Sequence, residues 1–336
     1  MYKIKQVLGD FVVKEVSRLE ICHEGDYAYF LLEKTNYSTV AALEILSLKL
    51  KIPLKNFGFS GNKDKMAITE QKISVYRGKK AFEDLMLNGI SLKYIGRGKE
   101  PISLGDLEGN KFDIIIRNLS VGEIKKMAKK TAARIIFPNF FGPQRFGKNN
   151  HMIGKSIVKK DFGKAIGLIL ENFGSPESRV RDYMQKNHND YIGALRLIPL
   201  KTRKILVHAY QSFLFNKIAR DCINGHKVDK EADIPIIGFN FDMKSIKNKN
   251  LKKTIKKVME GENITPRDFI IPQVPELTSE GTKRKLFSEA KDFKILGIED
   301  DELNPGTKKM RICFLLPKGS YATVLVCSLL EVSLAP

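Results

Sequence analysis

Tryptophan is absent from the 336 residues, and cysteine occurs four times, at Cys22, Cys222, Cys313 and Cys327. No two cysteines form a C-x-x-C pair, and the five histidines show neither H-E-x-x-H nor another ligand-like spacing. A structural zinc, a disulfide framework and a Cys–His catalytic pair are therefore unsupported. Cys313 and Cys327 lie in apolar runs and are expected to be buried. No run of about 18 apolar residues exists, and no amphipathic segment carries an obvious Trp/Phe anchor, so a membrane partner is not expected. The start, Met1 to Gln6, has no apolar signal region, and the expectation is a cytoplasmic protein. Acidic residues are also scarce, with Asp+Glu 38 against Lys+Arg 58 and a formal charge of +20. Such an excess predicts a polyanionic partner, most simply nucleic acid, because lysines that neutralise phosphates release condensed counterions.

What is present suits a globular fold. Hydrophobic content is 43%, with Phe 20 and Tyr 10, and the length allows two cores. Asp10–Val16 and Tyr27–Leu32 read as strands around a turn at His23–Asp26. Ser38 or Thr39 caps a helix through Leu50, with Val40, Leu43, Leu46 and Leu50 on one face and Pro53 beyond its end. Phe112–Ile116 reads as a strand, and Gly122–Ile136 as an amphipathic helix. Residues 155–173 and 202–221 read as further helices. Lys244–Lys257 holds seven lysines without an acid, while Leu251, Ile255 and Val258 give it an apolar side. A solvated charged helix and an RNA-binding one explain that segment equally well. Near the C-terminus only one strand, Arg311–Leu316, and one apolar segment, Tyr321–Val332, are visible. They are too little for a core of their own and should pack on the first half.

Two segments carry candidate chemistry. Gly58–Gln71 places Asp64 between Lys63 and Lys65, in a tight turn between two strands. Positive neighbours favour the ionised carboxylate and suit it to act as nucleophile or base on an anionic substrate. A solvated Lys-Asp-Lys loop is the commoner explanation of such a window taken alone. A phosphate loop is rejected: Gly58 and Gly61 are three apart, Asp64 replaces the metal-binding hydroxyl, and a strand stands where a helix is required. The second segment, Asn139–Gly147, combines Phe140 and Phe141 with Arg145, a stacking surface beside a phosphate-pairing cation. A core aromatic pair with glycine turns is its bland counterpart.

Taken in order, six motifs resemble the tRNA pseudouridine synthase D family. They are Asp10-Phe-Val-Val13, Lys34-Thr-Asn36 with Thr39, Gly61–Gln71, Leu104–Phe112, Asn139–Gly142 with Gln144–Gly147, and Leu316–Thr323. Ala209–Asn216 and Glu280–Arg284 extend the match through the middle. The resemblance implies an α/β (α+β) fold, with a catalytic domain around a mixed, largely antiparallel sheet. That domain would be formed by residues 1–147 and 290–336, interrupted by an inserted α/β domain at 148–289. It further implies an isomerase that converts uridine to pseudouridine in tRNA, at position 13 of the D arm, without a cofactor or metal. Its catalytic aspartate falls on Asp64, expected as a buried anion. Its substrate-binding residues fall on Phe141 and Asn139 at the target base, Phe11 and Lys5 in the pocket, and Lys63. Arg145 joins that set as a phosphate-pairing cation. The partner is tRNA, with a monomer as the default assembly. The competing readings are an RNA-binding protein without catalysis, and the same chemistry at another RNA position.

Overall fold

The computed structural model describes residues 2–130, 134–172, 176–225, 229 and 231–332. They divide into two compact units, residues 2–137 with 289–331 and residues 138–288. The fold is mixed α/β.

In the first unit the strands are β1 (Phe11–Val16), β2 (Tyr27–Thr35), β3 (Phe57–Phe59), β4 (Ile68–Tyr76), β5 (Ile90–Gly98), β6 (Gly109–Leu119) and β7 (Arg134–Pro138). The helices between them are α1 (Thr39–Leu50) and α2 (Val121–Lys129). After the second unit the chain returns through β10 (Phe287–Asp300), β11 (Lys308–Pro317) and α9 (Ala322–Leu330). One sheet runs β5-β2-β4-β1-β6-β11-β10-β7, with β3 added to β4. The β1–β4 pair is parallel, whereas β1–β6, β2–β4, β2–β5, β3–β4, β6–β11 and β10–β11 are antiparallel. The C-terminal strand β11 pairs with β6 from Pro317↔Gly109 to Lys308↔Leu119, so the end of the chain completes the sheet begun by the first half. Phe30, Leu32, Ile73 and Val75 bury one face against Ala42, Leu43 and Leu46 of α1. Ser38 starts that helix by accepting from the Ala41 N–H at 3.1 Å.

The second unit is built on the long helix α7 (Leu200–Asn224). Around it lie α3 (Asn150–Val158), α4 (Phe162–Asn172), α5 (Pro176–Lys186), α6 (Tyr191–Arg196), α8 (Lys249–Glu262) and the small hairpin of β8 (Asp233–Ile236) and β9 (Thr282–Lys285). Gly154 lets α3 approach α7, since a Cβ there would collide with the Leu206 carbonyl. Tyr210, Leu214, Phe215 and Ile218 of α7 anchor the core.

Several expected elements are redrawn. The expected helix Gly122–Ile136 ends at Lys129, and Arg134–Pro138 is a strand, in keeping with the β-forming run Ile-Ile-Phe. Residues 131–133 of that expectation lie outside the described residues. The expected helix 155–173 is two helices, broken at Lys160, which takes a left-handed φ of 63°, and restarted where Asp161 accepts from the Lys164 N–H. Residue 173 also lies outside the described residues. The lysine-rich segment becomes helical only at Lys249, capped by Asn248. Its Leu251, Ile255, Val258 and Met259 are buried while its lysines face solvent. Strand β10 was not expected at all. Cys327 is buried, but Cys313 only half so. Among the described residues, no helix is long and apolar enough to cross a membrane.

Candidate active site

Strands β3 and β4 pair from Phe57↔Val75 to Phe59↔Ile73, so residues 60–67 form the loop that joins them. Gly58 is needed beneath it, because a Cβ would meet the Ile102 carbonyl and the Ser74 hydroxyl. The loop is fastened from behind by buried polar groups. Thr39 Oγ1 accepts from the Lys63 N–H at 2.9 Å and donates to Gln71 Oε1 at 2.8 Å, while Gln71 Nε2 donates to the Gly61 carbonyl at 3.2 Å. Lys34, 1% exposed, donates to the backbone carbonyls of Asp64 at 3.1 Å and Tyr37 at 2.5 Å. Burial pushes its ammonium down to about 8, against the pull of the nearby Asp64 charge and with a smaller push from Lys63.

Asp64 itself points outward. Its side chain is 47% exposed, so the expected buried anion is instead an accessible carboxylate on a buried backing. The reason is local: the loop turns its backbone inward for the Lys34, Thr39 and Gln71 bonds, which leaves the Asp64 side chain on the outer side. Lys5 Nζ bonds Asp64 Oδ2 at 2.5 Å and sits 4.0 Å over the Phe11 ring. That ring is 2% exposed and packs edge-on against Phe112 at 5.9 Å, giving the ammonium a fixed aromatic seat. Lys5 has a left-handed φ of 61°, a sparsely populated conformation for a residue with a side chain. Immediately before Phe11, Asp10 is fully buried and receives Arg117 Nε at 2.9 Å, and Arg117 Nη1 also reaches Asp301 and Glu302 at 3.0 Å each.

Lys63 does not join this group. Its side chain is 5% exposed and turns inward, with Nζ 2.7 Å from Glu15 Oε2, which also receives the Ser60 hydroxyl at 2.5 Å. Adjacent residues of an extended loop point apart, so Lys63 and Asp64 face opposite ways. In this arrangement the Lys63 ammonium braces the loop and is not presented to a substrate phosphate.

The other expected residues lie in the second unit and are described there alone. Asn139 is 8% exposed and its amide is engaged on both sides: Nδ2 donates to the Lys285 carbonyl at 3.1 Å, and Oδ1 accepts from Arg284 at 2.6 Å. Arg284 Nε also bonds the Asn139 carbonyl at 2.9 Å. The backbone of Phe141 is clasped by Asn216, which accepts from its N–H at 2.9 Å and donates to its carbonyl at 3.0 Å. Its half-buried ring meets Phe215 edge-on at 5.4 Å, with the Arg284 guanidinium 4.3 Å and the Arg145 guanidinium 5.8 Å from its centroid. Arg145 Nε donates to Ser212 Oγ at 3.2 Å. Phe141 is thus a half-buried ring set edge-on to the core with two guanidinium groups beside it, a combination of aromatic and arginine used in RNA contact.

Sequence reasoning missed the parts played by Lys34, Glu15 and Arg284. Lys34 and Arg284 stand inside quoted motifs, which was the available signal; Glu15 carried none. Among the described residues no cluster of His, Cys, Asp and Glu could hold a metal ion.

Comparison with known proteins agrees along nearly the whole chain. A family model described as tRNA pseudouridine synthase D (TruD) matches residues 2–182, 175–233 and 227–328. A Methanosarcina acetivorans protein named "Probable tRNA pseudouridine synthase D" is 30% identical, over 98% of this chain and 92% of the relative. The tRNA pseudouridine synthase D of Aquifex aeolicus is 27% identical, over 96% and 97% respectively. The crystal structure of the "Putative tRNA pseudouridine synthase D (TruD)" from Methanosarcina mazei aligns with a TM-score of 0.73 at 27% identity, covering 98% of this chain and 93% of that one.

Proposed function

The chain belongs to the tRNA pseudouridine synthase D family, and we propose that Asp64 is the carboxylate with which it isomerises a tRNA uridine, at position 13 of the D arm. The observation that carries this reading is the loop 61–65. It is fixed on its inner side by Lys34, Thr39 and Gln71, while the Asp64 carboxylate stands open to an incoming ribose. A loop that only filled space would not need an inner layer of buried polar bonds, and a pure RNA binder gains nothing from a carboxylate facing phosphates.

Pseudouridylation breaks the bond from uracil N1 to ribose C1′, turns the base and joins its C5 to C1′. The target uridine must first leave its stack, at a cost of a few kcal/mol. Asp64 then either attacks C1′ or removes the C2′ proton to give a glycal; both need the ionised carboxylate within reach of the sugar. Lys5, seated on Phe11, holds that carboxylate in one place. Phe141 and Asn139 are assigned to RNA contact by the resemblance, and Arg145 by its place as a cation beside Phe140 and Phe141. The half-buried Phe141 ring with the Arg145 guanidinium 5.8 Å from its centroid is compatible with this for Phe141 and Arg145. For Asn139, contact with a base requires its bonds to Arg284 and Lys285 to rearrange, or its backbone position alone to matter. Lys63 acts from behind the loop. Residues 148–289 are read as the family's insertion, bearing on which RNA is chosen.

Mapping pseudouridine in bulk tRNA after incubation with the protein tests the reading. Modification confined to position 13 is expected; modification elsewhere shifts the target, and none favours simple RNA binding. Asp64→Asn is expected to abolish isomerisation while tRNA binding persists, and turnover in that variant removes Asp64 from the chemistry.

A further inference from the structure

Residues 2–10 bring Lys5 to the Asp64 carboxylate with little regular structure of their own. That structure is an isolated bridge, Lys3↔Arg117, and the short 3-10 turn Leu8–Asp10. Yet Lys5 keeps a left-handed φ of 61°. A residue with a side chain stays in that region only where its surroundings over-determine it. The groups that do so here lie far along the chain.

Ties bracket Lys5 on both sides. Before it, Lys3 and Arg117 exchange both backbone bonds, at 2.9 and 2.8 Å. After it, the Val7 N–H donates to Asp10 Oδ2 at 3.0 Å, and Asp10 is gripped by the Arg117 side chain. Asn304 spans the two sides. Its Oδ1 accepts from Lys3 Nζ at 2.7 Å, and its Nδ2 donates to Gln6 Oε1 at 2.9 Å. The other N–H of the same amide is spent on Asp301 Oδ2 at 2.8 Å, which fixes the side chain's orientation. Asp301 is itself anchored, its carboxylate fully buried against Arg117 and the Asn118 N–H. Asn304 sits in the turn 301–307 between β10 and β11, which is closed by Asp301 N–H to the Thr307 carbonyl at 3.1 Å and Thr307 N–H to the Asn304 carbonyl at 3.2 Å. A braced turn thus clasps a segment that could not hold its own shape.

We infer that Asn304 is a positioning residue for the isomerisation. By clasping Lys3 and Gln6 it keeps Lys5 in the backbone conformation that sets the ammonium both over the Phe11 ring and against Asp64. Asn304 acts through Lys5, which in turn holds the carboxylate. Without the clasp Lys5 relaxes to a negative φ, its side chain is aimed away from the Phe11 seat, and Asp64 is left to turn among its rotamers. A reacting group that is misplaced costs rate more than it costs binding. The inference rests on the reading of Asp64 as the reacting carboxylate.

The test is Asn304→Ala in the full chain, a change that spares the buried contacts of Arg117 with Asp10 and Asp301. One readout needs no turnover. A lysine held over a ring face has its ε-CH2 resonance shifted upfield, and in ¹³C-lysine-labelled protein the Lys5 signal is identified by its loss in Lys5→Met. Asn304→Ala should return that signal toward the position of exposed lysines, while the signals of Lys34 and Lys63 stay where they are. The second readout is turnover: kcat should fall about tenfold while KM for tRNA changes less than about twofold. Made in a Lys5→Met background, the same substitution should change kcat less than about twofold, because the residue it acts through is already gone. A Lys5 signal that stays ring-shifted, an unchanged kcat, or an equal loss in both backgrounds overturns the inference. A native enzyme that makes no pseudouridine strikes instead at the proposed function, and the Lys5 signal then still reports whether the clasp works.

Discussion

Replacing Lys63 by methionine separates two roles that its position beside Asp64 confuses. If the lysine meets substrate phosphates, the change weakens tRNA binding and leaves the fold alone. The structure places its ammonium 2.7 Å from Glu15, with the two side chains 5% and 1% exposed. Removing one member of such a pair leaves the other charge buried and unmatched, which costs about 3–5 kcal/mol. A loss of that size corresponds to a fall in melting temperature of about 2–4 °C per kcal/mol for a unit of this size. Glu15→Gln should cost a similar amount, because it strands Lys63 in turn. The double variant Glu15→Leu with Lys63→Met removes both charges and should lie closer to the native protein than either single variant. Denaturant midpoints of the four proteins measure the cycle. In turnover assays, Lys63→Met should lower kcat by up to about 100-fold, since loosening the loop displaces the carboxylate, while KM for tRNA changes far less. A stability loss below about 1 kcal/mol together with a large rise in KM would show that Lys63 works outward, and that the pairing with Glu15 is not its working state.

Phe141→Ala should lower the isomerisation rate more than any single lysine change within 244–257, because those lysines all face solvent, five of them on α8; equal losses would reduce Phe141 to core packing. Arg284→Lys keeps the charge but cannot hold both the Asn139 carbonyl and its side chain while lying over Phe141, so kcat/KM should fall at least about tenfold, equivalent to roughly 1.4 kcal/mol, with little change in far-ultraviolet circular dichroism. Lys34 releases its proton at about 8 in the folded chain, against 10.5 for an ordinary lysine. The unfolded chain therefore binds more protons between those values, and this residue's contribution makes the fold more stable as pH rises through that window, by on the order of 3 kcal/mol. Denaturation of the native protein and Lys34→Met at pH 7 and pH 10 checks the sign: the native protein should gain relative to the variant on going to the higher pH.

The parts of the fold legible in the sequence were those with local signals. Alternation marked β1, β2 and β11, the Ser38 cap marked α1, and the glycine-bounded turn marked the Asp64 loop. Where tertiary pairing decided the outcome, local pattern misled. Residues 134–138 continued a helical spacing yet pair as a strand, and β10 went unseen because Lys291, Asp292 and Lys294 face solvent and blur its alternation. The break at Lys160 uses a left-handed lysine where glycine would have given warning. At the candidate site, Asp64, Lys5 and Phe11 emerged through motif resemblance and are found together. The inward turn of Lys63 was hidden because its partner is 48 residues away, and Arg284 because it closes on Asn139 from 145 residues further along.

The contact between Asn139 and Leu286, backbone N–H to carbonyl at 2.9 Å, has an architectural corollary. It ties together the two ends of the 138–288 segment, and Arg284 adds a second bond to the Asn139 carbonyl. The alignment with the Methanosarcina acetivorans relative runs over 418 positions, against 336 residues here, so that relative bears additional length that this chain does without. With its ends already tied at Asn139 and Leu286, the 138–288 segment would be cut beside those two positions in a swap between relatives.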